Sequence, residues 1–244
     1  MPFTDFDEID FKGLPEDVPV KDRSRVHVLD CSQMNMSTMS SVIGQFEDLV
    51  ILNCSQNQLK DIPPEIGKLK KLRELICHEN QLVTLPPEIG QMSQLKKLYC
   101  PKNQLTDLPS EIGQLKTLTE LYCQENQLTS LPSEIGNLTD LRVLNCSKNR
   151  LTTLPMTIGQ MMSLHILRCE SNQLDTLPET IAHLNGLGEI NCSHNQVSEM
   201  SVEMKRFLVG VYVDFLDNPI EDDWRIFEKR RKVIHERKST IVVR

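Results

Sequence analysis

The chain is 244 residues long, 39% hydrophobic and 25% charged, with a formal net charge of −7. That is enough apolar material to bury a sizeable core, which excludes a disordered tail. An acidic chain has no strong positive field to hold a phosphate backbone, so sequence-independent nucleic-acid binding is excluded as its main task.

The first stretch, MPFTDFDEIDFKGLPEDV, is acidic and has neither a basic leader nor a continuous apolar run, so no secretory signal is expected. Nowhere does an apolar run reach the length that crosses a bilayer. Phe11, Leu14, Pro15 and Val18 echo the spacing of Leu82, Leu85, Pro86 and Ile89, two residues out of the register that governs the rest of the chain. Phe3, Phe6 and Ile9 are apolar enough to lie over whatever follows. Residues 1–25 are therefore predicted to be an N-terminal cap.

From residue 26 the chain is periodic. Cysteines fall at 31, 54, 77, 100, 123, 146, 169 and 192, each step being 23 residues. Asparagine follows at 57 and every 23 residues to Asn218, proline from Pro63 to Pro178, and glycine from Gly44 to Gly159. Written out over Leu95 to Thr117, the unit is L-x-x-L-x-C-x-x-N-x-L-x-x-L-P-x-x-I-G-x-L-x-x. Apolar residues at i, i+3 and i+5 around one short alternating segment suit a strand with one buried face. One such unit cannot bury its own apolar side chains, so neighbours must stack, with strands about 4.8 Å apart and nine of them spanning about 40 Å.

This unit resembles the leucine-rich repeat, with cysteine in the slot of the third leucine. It is similar to the 23-residue intracellular type of Ras-group, Ras-suppressor and Scribble-type scaffolds and of many bacterial proteins. The resemblance covers roughly residues 26–220 and implies an α/β solenoid of about eight to nine strands. In that fold, parallel strands line the concave face of a short curved horseshoe, short helical or extended segments form the convex face, and both ends are capped.

Each recurring polar or special residue has its own expected task. Asparagine at the strand exit can satisfy loop backbone groups of its own and the adjacent coil. Proline favours an extended outer arm, and Ile-Gly suits a brief helical turn closed by glycine. For the cysteines there are three readings: a metal ladder, a disulfide set or core packing. Zinc thiolates pair within a few residues and close a tetrahedron, unlike a column along parallel strands. Disulfides would have to join directly adjacent strands in a chain without an export signal. A small buried hydrophobe in a leucine slot is the reading that fits, and it implies a reducing compartment in which the sequons at Asn53, Asn145 and Asn191 go unused.

The same register names the side chains that leave the strands on the concave face. The position before each cysteine runs from Asp30 through Ile76, Tyr99, Tyr122 and Arg168 to Asp214, and the position two earlier from Val28 through Glu74, Lys97 and Glu120 to Tyr212. All three tyrosines lie in these two columns. Ile76, Tyr99 and Tyr122, ringed by Glu74, Lys97, Lys102, Glu120, Glu125 and Arg168, have the composition of an interface hot spot with a polar rim, and Tyr212 lies on the same face. The plainer reading is that tyrosine suits a strand. Mixed charge on the face favours a protein partner over nucleic acid.

At the far end, Val213, Phe215, Asn218 and Ile220 continue the register, with Phe215 in the cysteine slot. Residues 221–244 place Trp224, Phe227 and Ile234 at helical spacing and are predicted to form a capping helix. The basic run Lys229 to Lys232 in this tail reads as a solvated helix face, or else as a contact for anionic lipid or an acidic partner. No nucleotide loop, nucleophile elbow or H-E-x-x-H pair occurs, and the six histidines occupy different repeat positions. The expectation is a cytoplasmic monomer with no catalytic residues, cofactor, metal or membrane span, acting as an interaction module for a protein partner in signalling or scaffolding. The alternative is a bacterial effector acting on a host protein, for example in a small-GTPase or ubiquitin pathway.

Overall fold

In the computed structural model, which describes residues 9–220, ten strands stand in chain order in one open parallel sheet. They are β1 (Ile9–Lys12), β2 (Val26–Asp30), β3 (Ile51–Asn53), β4 (Glu74–Ile76), β5 (Lys97–Tyr99), β6 (Glu120–Tyr122), β7 (Val143–Asn145), β8 (Ile166–Arg168), β9 (Glu189–Asn191) and β10 (Tyr212–Asp214). The 23-residue period becomes register: Leu75, Leu98, Leu121, Leu144 and Leu167 pair directly across their neighbours. From Ser41–Gln45 to Glu179–His183, each coil returns through a five-residue 3-10 segment on the convex side. Between the two layers runs one continuous core. In the coil of β6 it holds Leu118, Leu121, Cys123, Leu128, Leu131, Ile135 and Leu138, all buried.

All eight cysteines are free and buried in this core. Six of the thiols donate to a carbonyl of the next strand, as Cys100 Sγ does to Tyr122 O at 3.3 Å and Cys123 Sγ to Asn145 O at 3.4 Å. Burial pushes the Cys31 and Cys100 thiols up to about 12, and Cys54, Cys77, Cys123 and Cys146 rise well above the ordinary value for the same reason. For Cys169 the Cys192 thiol contributes most, with burial behind it. A thiol held neutral is neither a nucleophile nor a metal ligand.

The asparagine column does what its chemistry requires. Asn126 Nδ2 donates to Cys100 O and Cys123 O, both at 3.0 Å, and to Gln124 O at 3.3 Å, while its Oδ1 accepts from Leu105 N at 3.0 Å. Each asparagine therefore ties its own turn to the preceding coil.

Glycine plays a different part from the one its sequence position suggests. It sits inside the 3-10 turn with negative φ and closes nothing. A Cβ on Gly159 would stand 2.3 Å from Thr180 O, and one on Gly113 2.4 Å from Glu134 O, so glycine lets the backbone of the next coil close in. The left-handed residue lies elsewhere, two places after each cysteine, where Gln56, Glu79, Lys102, Glu125 and Lys148 have φ of 52–57°. None is glycine, and each carries a local cost of about 1 kcal/mol. The turn is held because its N–H reaches the next coil, as Lys102 N does to Gln124 O at 3.1 Å.

Both ends depart from the expected pattern. Phe11 does not occupy the Leu82 position. It lies in β1 opposite Leu29, which adds a tenth strand. Arg23, buried, locks this region by donating from Nε to Val18 O at 3.0 Å and from Nη1 to Gln45 Oε1 at 2.6 Å. Near the other end Ser201 and Lys205 replace the proline and glycine, and the outer arm becomes α1 (Val202–Leu208), whose N-cap Ser201 accepts from Met204 N. Phe215 is buried in the cysteine slot, and Asn218 keeps the amide bond to Cys192 O. The predicted capping helix with Trp224, Phe227, Ile234 and the basic run, like Phe3 and Phe6, lies outside the described residues.

Candidate binding face on the strands

Three positions per coil leave the strand on the concave side: those three before, one before and one after the cysteine. The last joins the face because its side chain touches the one before, as Ser193 Oγ does in donating to Asn191 Oδ1 at 2.8 Å. Along β2, β3, β7 and β9 the pair is Asp30–Ser32, Asn53–Ser55, Asn145–Ser147 and Asn191–Ser193. In each, the serine N–H and hydroxyl both donate to the side-chain oxygen. These coils are chemically closed, and the sequons they contain are small hydrogen-bonded turns.

The other coils break the rule. β4, β5, β6 and β8 carry Ile76–His78, Tyr99–Pro101, Tyr122–Gln124 and Arg168–Glu170 in place of the closed pair. Strand register sets Tyr99 beside Tyr122, and their rings stack with centroids 5.0 Å apart and planes 11° from parallel. Tyr99 OH donates to Glu120 Oε2 at 3.2 Å, and Lys97 Nζ lies between Glu74 at 3.4 Å and Glu120 at 3.9 Å. Partial burial, with the Glu120 charge second, raises both tyrosine hydroxyls above their ordinary value. Arg168 Nε donates to Glu189 Oε1 at 2.9 Å, and this bond more than offsets the desolvation that opposes its charge.

Of the residues singled out in the sequence, Glu74, Ile76, Lys97, Tyr99, Glu120 and Tyr122 come together across β4 to β6, and Arg168 stands two strands away on β8. Lys102 and Glu125 do not point from the strands. They occupy the left-handed turn and belong to a ladder along the sheet's exit edge, with Lys102–Glu79 at 3.1 Å and Lys148–Glu125 at 3.3 Å. Lys102 holds the Glu79 carboxyl below its usual range, with Gln56 adding a second bond. Tyr212, 57% exposed, lies on β10, four strands from Tyr122. Sequence reasoning missed Gln124 and Glu170, whose Oε1 and Oε2 are buried without a hydrogen bond. The signal was present, since serine follows cysteine only where asparagine or aspartate precedes it.

Comparison with known proteins bears on what this face belongs to. A family model described as leucine-rich repeat region matches residues 18–126, and one for two copies of the repeat matches 116–157. A leucine-rich repeat protein of Leptospira interrogans is 31% identical over 86% of this chain and 71% of its own, with a TM-score of 0.56. The chain belongs to the leucine-rich repeat family. This leucine-rich repeat protein is also similar to the ectodomain of the Arabidopsis thaliana membrane receptor kinase GASSHO1/SCHENGEN3, solved in complex with CASPARIAN STRIP INTEGRITY FACTOR 2. There the identity is 30%, the coverage 86% of this chain and 26% of the ectodomain, and the TM-score 0.72. The functional domain of InlJ from Listeria monocytogenes, described as including a cysteine ladder, shares the fold at 21% identity, with a TM-score of 0.65, 84% of this chain and 47% of that one covered. A search of curated proteins gives no match. Among the described residues no helix is long and apolar enough to cross a membrane.

Proposed function

We propose that this leucine-rich repeat protein is a non-catalytic interaction module that holds one protein partner on the concave face of β4 to β8, in signalling or scaffolding. The observation that carries the reading is the Tyr99–Tyr122 stack, set in register in the coils where the closed Asn–Ser pair is missing. Stacked tyrosines offer a large, rigid apolar surface with a polar edge, the usual anchor of an interface. The likeness to an ectodomain solved with its protein ligand supports the same role. On this reading the chain works as a cytoplasmic monomer without cofactor or nucleic acid, which its eight free, buried cysteines suit. It divides into a cap at 1–25, repeats at 26–220 and a capping tail at 221–244.

The test is affinity capture from cytosolic lysate read by mass spectrometry, comparing wild type with the Tyr99→Ala/Tyr122→Ala protein. A partner held by wild type and lost by the variant, with affinity weakened by on the order of 2 kcal/mol or more, is the expected result. Equal capture by both would move the site off this face. The second reading is a bacterial effector acting on a host protein, and the origin of the captured partner separates the two.

A further inference from the structure

We propose that the segment seated on this face presents a basic side chain, arginine before lysine, between β6 and β8. The inference rests on the concave-face reading and adds the chemistry of the occupant. Over β4 to β9 the outward strand positions carry four carboxylates, Glu74, Glu120, Glu170 and Glu189, against two cations, Lys97 and Arg168. Both cations are already engaged, Lys97 between two carboxylates and Arg168 through Nε with Glu189. The excess on the face is acceptor, not donor.

One of those carboxylates and one amide on the same face each hold an oxygen with no donor. Gln124 Oε1 and Glu170 Oε2 are buried and unpaired, and they follow β6 and β8 at the same repeat position. Between them, on β7, stand Asn145 and Ser147, which satisfy each other. Strands β6 and β8 are about 9.6 Å apart, twice the strand spacing, which admits one planar group between their side chains. A carboxylate oxygen can only accept, so an occupant that excludes water here must donate or leave it unpaired at a cost. A guanidinium carries several donors in one plane and stacks on a tyrosine face, here that of Tyr122. An acidic segment would meet only the terminal nitrogens of Arg168 and would face the four carboxylates.

The experiment uses the full chain and a random peptide library displayed on phage, panned at physiological salt against wild type and against Tyr99→Ala/Tyr122→Ala. Peptides that need the tyrosines are expected to be enriched in arginine. Their affinity should fall about tenfold in Glu120→Gln/Glu170→Gln, a change that keeps shape and hydrogen-bond capacity while removing charge. Far-ultraviolet circular dichroism checks that each variant is folded. Tyrosine-dependent peptides that are neutral or acidic, or basic ones indifferent to the glutamine changes, would overturn the basic occupant and leave the face standing. Basic peptides bound equally without the tyrosines would reflect only attraction to an acidic chain and overturn both, as would recovery of no tyrosine-dependent peptide.

Discussion

Raising the pH should unfold this protein cooperatively through its buried thiols. Seven thiols are held protonated in the folded chain, with Cys31 and Cys100 near 12, whereas an exposed thiol has a reference value of 9.0. A folded value above the unfolded one means the contribution is intact below about pH 9 and is lost as pH climbs toward 12. At pH 10 each thiol favours the unfolded state by on the order of 1 kcal/mol, so the seven together oppose folding by on the order of 10 kcal/mol. That matches the whole stability of an ordinary domain, which places the transition near pH 10. Circular dichroism and the reaction of a chromogenic disulfide reagent, followed together along a pH titration, should show helical-turn and strand signal vanishing as all thiols become reactive at once. Cys100→Val/Cys123→Val removes two of the titrating groups and should move the midpoint upward. A chain that stayed folded with silent thiols beyond about pH 11 would refute the argument, because its core would then tolerate ionised sulfur.

Replacing Asn126 by alanine should cost about 3 kcal/mol. Cys100 O and Cys123 O each keep a second asparagine amide, but Leu105 N–H is left buried without an acceptor. Urea unfolding measures the loss, and a cost below about 1 kcal/mol would mean that water reaches the turn. Gly136→Ala should destabilise by about 2 kcal/mol, since its Cβ would stand 2.4 Å from Thr157 O in backbone that cannot step aside. An unchanged melting temperature would contradict that close approach. Cys123→Asp should cost more than either, by placing a charge where the thiol is fully buried, and a harmless change there would show the register to be wrong.

The parts of the fold legible in the sequence are those where one side chain does one chemical job. Asn126 and its equivalents were readable because an amide both donates and accepts, and the leucines because one face must be dry. Glycine was misread because a helix stop and a close backbone approach select the same residue, and only the neighbouring coil's carbonyl distinguishes them. The left-handed turn left no mark, since Gln56, Glu79, Lys102 and Ser171 share no chemistry and the backbone bonds of the next coil hold the angle. That turn also carries Lys102 and Glu125 away from the face whose polar rim they were expected to form. The Tyr99–Tyr122 contact, by contrast, follows from the period alone. Gln124 and Glu170 escaped notice because an unpaired atom is a property of surroundings, and no residue type announces it.

The constant offsets of the inter-coil bonds reach beyond stability. The asparagine amide reaches 3 and 26 residues back, and the N–H that binds its oxygen lies 21 residues away, coil after coil. Excision of residues 124–146, one full period, would therefore hand every surviving donor of the asparagine ladder an equivalent acceptor: Asn149 would inherit the place of Asn126, and Leu105 N–H would find its oxygen. What would change is the company on the surface, with Tyr122 now next to Arg168. Copy number and recognition are thus separable variables in this chain: whole coils can be gained or lost without renegotiating the scaffold, and each such event redraws which side chains are neighbours.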